Sequence, residues 1–414
     1  MAIQILQKPG DIQPAQSPII FSVTETTTAY TASEFQYTGF LYIWDGDINQ
    51  SGSYKYQLRK FPNATGSGIF DFSRLVNSNL LDLSADNKSN ILYYKAEFGY
   101  QYASGSTYVT QSGGLTPVTC SAGGTPFKAY DGYALFPDPI NSTLHDINPC
   151  WPFMTDMCTV TQSITLEDTS LIGPSPAYRG LAMWVGDNDN GFFNQLVVTA
   201  SYANGNEIRT IMPVVATGST LTSLQISSSK AAPGDSWTPL PTTSGSSPLV
   251  SYTINAVSSS VRLASLNYEI DQECYYTPIR VAYKNKYGQF DWFNFYKRHN
   301  NTFNTDQRVY QPQLGSWSST VLEYNEFQTR TQRYIVDATE VLEVNTDYLT
   351  EGYNNLFKQL LVADEIYWQT DGSTGTVRPL TIQTNSITFK TGVNNKLIQY
   401  TLVFDIGQPY KLIL

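Results

Sequence analysis

The residues that could carry chemistry in this chain are few. Serine-type nucleophilic catalysis needs a base beside a hydroxyl, most often a histidine, and only His145 and His299 are present. His145 lies in Leu144-His145-Asp146 and His299 in Lys297-Arg298-His299-Asn300, both segments of turn character. No Gly-x-Ser-x-Gly elbow links a strand to a helix, so each histidine reads as an ordinary loop residue. The four cysteines are Cys120, Cys150, Cys158 and Cys274, without a Cys-x-x-Cys pair to support a thiolate zinc site. Cys150 and Cys158 bracket a short aromatic segment. They could pair as a disulfide in an oxidising setting, the alternative being two buried thiols.

Acidic and aromatic clusters are equally unspecific. Asp187-Asn188-Asp189-Asn190-Gly191 has carboxylates at alternate positions before a glycine, the beginning of a calcium loop. The glycine comes one place early, and Val198 stands where a bidentate Glu is needed. A loop whose Asx side chains bond their own backbone is expected instead, and Asp45-Gly46-Asp47 is a hairpin-turn signal. No phosphate-binding pattern of the Gly-x-x-x-x-Gly-Lys-Ser/Thr or Gly-x-Gly-x-x-Gly type occurs in the required setting. Glycoside hydrolysis needs only two facing carboxylates, and no spacing singles out a pair. Trp151, Trp184, Trp237, Trp292, Trp317 and Trp368 could stack on sugar rings, although large aromatics more often build cores. The reading therefore assigns no catalytic, cofactor-binding or metal residue, and expects no cofactor and no enzymatic activity.

Composition narrows the classes further. The chain has 414 residues, enough for two to four domains or one large β unit with an appendage. Aromatic residues make up 14%, including 29 Tyr and 20 Phe, while charged residues also reach only 14%. That is well below the usual quarter or so, so the surface is mostly uncharged and polar. With 25 Lys+Arg against 35 Asp+Glu the net charge is −10. A nucleic-acid grip or an anionic membrane surface would need clustered cations, so neither is expected as a partner. Neither a signal peptide nor an apolar run long enough to cross a membrane is read from the sequence.

The elements follow from periodicity. Tyr54, Tyr56 and Leu58 alternate with Lys55, Gln57 and Arg59; Ile279, Val281 and Tyr283 with Arg280, Ala282 and Lys284; and Tyr400, Leu402, Phe404 and Ile406 continue the pattern. These are half-buried strands. Phe40-Leu41-Tyr42-Ile43-Trp44 is apolar on both faces, as for a strand covered on both sides. Helical spacing is confined to about Asp347–Val362, where Leu349, Tyr353, Leu356, Phe357, Leu360 and Leu361 share a face, and to Phe72–Leu81. Asn345, Thr346 or Asp347 could cap the longer helix. The expected fold is mainly β, with two or more antiparallel β-sandwich domains and one or two short helices. The expected division is an N-terminal sandwich over 1–105, a loop-rich β domain over 106–216, a Ser/Thr/Gly/Pro-rich linker or exposed loops over 217–248, and a C-terminal sandwich over 249–414 with the helix near 347–362.

One stretch is distinctive. Ile279–Lys284, a turn at Asn285-Lys286-Tyr287-Gly288 and an aromatic return from Phe290 to Tyr296 form a hairpin, with Gly288 supplying a positive φ. With Asn345–Glu351, Leu360–Tyr367, Val377–Ile382 and Lys396–Leu402, this region resembles structural proteins of tailed bacteriophages over about residues 265–410. The segments around Phe61-Pro62-Asn63 and Phe70-Asp71-Phe72-Ser73 are similar more loosely. The resemblance implies a non-enzymatic component of the virion, from the tail, neck, baseplate or fibre apparatus, with copies of itself and other virion proteins as partners. Composition agrees: interface cores are depleted of charge and enriched in aromatics. Unpaired sheet edges could be completed by a neighbour or by the N-terminal arm around Ile3-Gln4-Ile5-Leu6. A glycan-binding adhesin, with a host-surface glycan as partner, and a polysaccharide-degrading tail enzyme are the alternatives.

Overall fold

The computed structural model describes residues 3–26, 28–45, 55–81, 91–110, 114–120, 124–136, 138–164, 181–185, 195–211, 220–224, 243–244, 247–258, 261–271, 276–313, 315–317, 320–323, 327, 329–371, 376–391 and 398–407. The chain divides into two units. The first is Met1–Gln272 with Lys284–Asp291 and Asn355–Ala363; the second is Glu273–Tyr283, Trp292–Asn354 and Asp364–Leu414.

The first unit opens with a sandwich. Strands β1 (Ile3–Gln7), β3 (Ile20–Glu25) and β6 (Ser67–Asp71) form one antiparallel sheet. A larger sheet has, in spatial order, β2 (Ile12–Pro14), β10 (Phe127–Tyr130), β7 (Ile91–Ser104), β4 (Gln36–Trp44) and β5 (Tyr56–Lys60). Strands β8 (Thr107–Thr110) and β9 (Thr116–Val118) also pair with β7. Between the two sheets lies an aromatic core. Phe21 sits 5.5 Å from Phe98 and 5.6 Å from Phe127, and Phe70 lies 5.1 Å from Phe98, ring to ring. Such tilted and edge-on pairs add to the burial energy of the rings. Sheet spacing depends on Gly68, because a Cβ there would come within 2.5 Å of the Tyr37 ring. Tyr37 in turn donates its hydroxyl to Gly66 O at 2.6 Å and accepts from Glu25 N at 3.1 Å. The short helix α1 (Ser73–Leu81) buries Val76 and Leu80 against this core, close to the expected Phe72–Leu81.

A further sheet of the same unit runs β11 (Thr161–Ile164), β18 (Val261–Ile270), β17 (Ser247–Ser258), β13 (Gln195–Tyr202) and β14 (Gly205–Ile211), with β16 (Thr243–Ser244) on β17. Strands β12 (Leu181–Val185) and β15 (Thr220–Leu224) form a separate ladder. Most pairings are antiparallel, but β10–β2 and β11–β18 are parallel. One turn of helix, α2 (Leu144–Ile147), lies between β10 and β11.

The second unit is built on one seven-stranded sheet. Its order is β20 (Phe290–Phe295), β19 (Ile279–Lys284), β25 (Ile366–Asp371), β26 (Thr376–Ile382), β27 (Thr401–Ile406), β24 (Gln332–Asn345) and β21 (Asn300–Tyr310). The short pair β22 (Ser316–Trp317) and β23 (Leu322–Glu323) lies between β21 and β24 in sequence. Helix α3 (Tyr353–Val362) follows β24 in sequence, and its residues from Asn355 onward belong to the first unit.

The mainly β class is therefore as expected, while several details differ. Strands β17 and β18 pair with β13 and its neighbours, so residues 249–270 belong with the first unit and not with the C-terminal strands. Local composition marked 217–248 as a boundary, but ladder pairing across that segment decides the division. Helix α3 begins at Tyr353 because Thr346 N and Leu349 N bond Tyr400 O and Ile398 O, holding 346–349 extended. The face Tyr353, Leu356, Phe357 and Leu360 is buried as the spacing predicts. Strand β19 is buried on both faces, Arg280 and Ala282 included, where alternation predicts one exposed face. Conversely, Phe40, Tyr42 and Trp44 of β4 are only half-buried while Leu41 and Ile43 are buried. The N-terminal segment is not a free arm, since Ile3–Gln7 pairs with β3 of its own chain.

Candidate functional site

The residues singled out by chemistry are dispersed. His145 bonds Thr143 Oγ1 through Nδ1 at 2.8 Å and lies 3.0 Å from Asp146 Oδ1 through Nε2. A hydroxyl, an imidazole and a carboxylate are thus together, but all come from one exposed turn. Thr143 also donates to Asp146 Oδ2 at 2.7 Å, so its hydroxyl proton is already bonded to the carboxylate. The geometry is that of a locally bonded helix start. His299 lies just before β21, and its buried Nδ1 has no hydrogen-bond partner among the described residues. Cys120 is half-buried, and burial, reinforced by Asp11, pushes its thiol up to about 12. It stays protonated near neutrality and is a weak nucleophile. Trp292 is buried, and Trp151 and Trp368 are half-buried, the last with Arg378 over its ring. The Asp187–Gly191 cluster, Gly46, Asp47, Trp237 and Cys274 lie outside the described residues. Among the described residues no group of three or more His, Cys, Asp or Glu side chains could hold a metal, and no helix is long and apolar enough to cross a membrane.

A buried polar cluster in the first unit joins residues far apart in sequence. Cys150 and Cys158 are disulfide-bonded and close the loop that carries Met154, Thr155 and Asp156. Asp156 Oδ1 accepts from the Tyr287 hydroxyl at 2.7 Å, and Oδ2 accepts from Gln359 Nε2 at 2.7 Å and from Lys286 Nζ at 3.1 Å. Gln359 Oε1 accepts Lys286 N at 3.1 Å. Asn285 Nδ2 donates to Met154 O and to Asp291 Oδ2, each at 2.9 Å, while its Oδ1 accepts Tyr287 N and Gln289 N. Burial is the main cause that raises the Asp291 carboxyl to about 7, with Asp156 adding to it and bonds from Asn285 and Thr155 opposing. The same desolvation raises the Tyr287 hydroxyl. Both carboxylate oxygens of Asp156 are engaged, and Lys286, Tyr287 and Gln359 are buried. This is a clasp that holds three chain segments together, because a buried charge is tolerated only when paired and hydrogen-bonded. The Asn-x-Tyr-Gly turn was visible in sequence, whereas Asp156 and Gln359 carried no local signal.

The exposed counterpart lies in the second unit. Strand β21 pairs with β24 from Asn300↔Glu343 to Tyr310↔Gln332, yet β24 pairs with β27 only over Val341–Asn345. Among the described residues, the stretch Gln332–Glu340 has no strand partner except β21. The two strands thus continue past the sheet as a two-stranded ribbon. Every residue of β21 is exposed. The ribbon shows Phe303, Val309, Tyr310, Tyr334 and Ile335 to solvent, and Phe327, between its strands in sequence, is 94% exposed. Tyr310 and Tyr334 pack edge-on at 6.1 Å, and the Tyr310 hydroxyl donates to Gln332. A lone two-stranded ribbon is marginally stable in water, and unpaired edges template further pairing. Sequence reading placed no element here, although Tyr334-Ile335-Val336 is an aromatic and β-branched run of the kind that favours strands.

No protein-family model matches the chain, and no curated protein matches it.

Proposed function

We propose that this protein is a non-enzymatic structural component of a bacteriophage particle, most consistent with a tail or baseplate protein, which acts by homo-oligomeric assembly and by contacts with neighbouring virion proteins. The observation that carries the assembly reading is the ribbon of β21 and β24, exposed along all of β21 and carrying aromatic and β-branched side chains. Such a surface is costly to leave in water and gains from a protein partner. The low charge of the chain supports the same reading, since few ions need to be desolvated when copies meet. The kind of assembly rests on the resemblance of residues 265–410 to virion proteins.

Native mass spectrometry and electron microscopy of the purified full chain test this. A closed oligomer of defined copy number is expected. A chain that stays monomeric at high concentration in every buffer overturns the assembly role.

A further inference from the structure

We propose that two copies of this chain join edge to edge through β21, antiparallel about a twofold axis at Gln307, so that Asp306 of each copy faces Arg308 of the other. This deepens the assembly reading and rests on it. Among the described residues, strand β21 is the terminal strand of its sheet and pairs with β24 alone, so that its other edge, Asn300–Tyr310, meets no described strand. Edges that must stay unpaired are usually blocked by a bulge, a proline or a lysine. Strand β21 has no proline or lysine, its two charges, Asp306 and Arg308, are of opposite sign, and the single irregularity of the β21–β24 ladder places the extra residue, Tyr334, on β24, which leaves β21 regular.

The choice of a second copy, and of the register, follows from charge. A twofold axis perpendicular to a sheet keeps each side chain on its own face, so an antiparallel self-pairing must centre on a residue. Asp306 and Arg308 lie two apart and share a face. Centring on Asp306 would oppose Asp306 to itself, and centring on Arg308 would oppose Arg308 to itself. Centring on Thr305 leaves both charges opposite neutral residues. Centring on Gln307 alone pairs Asp306 with Arg308 at two symmetric places, and opposes Thr305 to Val309 on the other face. Opposite-charge and β-branched cross-strand pairs are favourable, whereas like charges directly opposite are not.

The ribbon itself asks for this neighbour. Asp306 lies directly opposite Asp337 of β24, a like-charge pair, and Arg308 lies opposite Ile335. None of Asp306, Arg308 and Asp337 has an ion-pair partner among the described residues. The Gln307-centred pairing brings an Arg308 guanidinium beside each acidic pair. On the face that carries Asp306 and Arg308, each of the two symmetric rows across the four strands then reads Ile335, Arg308, Asp306, Asp337.

Charge reversal in the full chain tests the pairing, with self-association followed by analytical ultracentrifugation. Asp306→Arg and Arg308→Asp should each weaken self-association by at least about tenfold, because each creates two like-charge pairs. Mixing the two single variants should restore it, since every pair across the mixed interface is then Arg to Asp. The double variant Asp306→Arg/Arg308→Asp should also associate as the wild type does. A wild-type chain that associates but is indifferent to either reversal, or single variants that do not recover on mixing, overturns this pairing while leaving assembly through another surface intact. A wild-type chain that never associates overturns both.

Discussion

Asp291 is a carboxyl whose proton the folded chain holds more tightly than the unfolded chain does. Its pKa is raised from 3.8 to about 7, chiefly by burial. Between these values the unfolded state loses the proton first, so this group's contribution to stability falls as pH rises from about 4 to about 7 and is level above. Relative to Asp291→Asn, the wild type should lose about 1.4 kcal/mol for each pH unit in that window. Denaturant titrations of both at pH 4.5, 6 and 7.5 measure it, and a pH-independent difference would show that Asp291 is ionised throughout. Gly288 has φ +71°, and a Cβ there would meet Asp131 O at 1.5 Å. Gly288→Ala should therefore destabilise by at least about 1–3 kcal/mol from the backbone alone, read as a lowered Tm in calorimetry. The need for glycine in that turn was legible in the sequence. The carbonyl that forbids any other residue was not, because Asp131 lies over 150 positions away in the chain.

At the scale of elements, two short segments carry opposite tasks. The Cys150–Cys158 loop presents Asp156 to the clasp, and closing it by a covalent bond restricts the unfolded chain. Cys150→Ser/Cys158→Ser should cost about 2–4 kcal/mol, and a reductant should lower the Tm of the wild type but not of the variant. The β21–β24 ribbon is exposed instead. In a single antiparallel ribbon every second amide of β21 points away from β24. Hydrogen exchange should therefore leave alternate amides of Phe303–Tyr310 unprotected in dilute protein and protect them at concentrations where the chain assembles. Unchanged exchange across that range would exclude β21 as an interface strand. Periodicity, of two for β27 and of 3.6 for α3, identified both because each buries one face. It misjudged β19, whose second face is covered by partners that no local pattern contains.

For the whole molecule, the first unit is completed by segments from beyond its main span. Lys284–Asp291 and Asn355–Ala363 are part of it, and they bring Lys286, Tyr287 and Gln359 to Asp156. A fragment ending at Gln272 would lose these donors and the cover they give Asp156, and the loss of one partner of a buried ion pair alone is worth roughly 3–5 kcal/mol. Such a fragment should be markedly less stable in urea than the full chain, or insoluble. A fragment with the unfolding midpoint of the full chain would show that the clasp contributes little.

Sequence alone determined the β class, the short helices, the turn at Gly288 and the scarcity of groups able to do chemistry. These follow from period, from backbone freedom and from composition, all of which are local or additive. Tertiary structure decided the rest: the strands of 247–270 joining the first unit, the pairing of Cys150 with Cys158, the closing of Asp156 by Tyr287 and Gln359, and the ribbon left open at β21. Apart from the disulfide, whose cysteines are eight residues apart, each depends on which distant segments meet or fail to meet. Ladder register and burial set those meetings, and neither is written in the neighbourhood of any one residue.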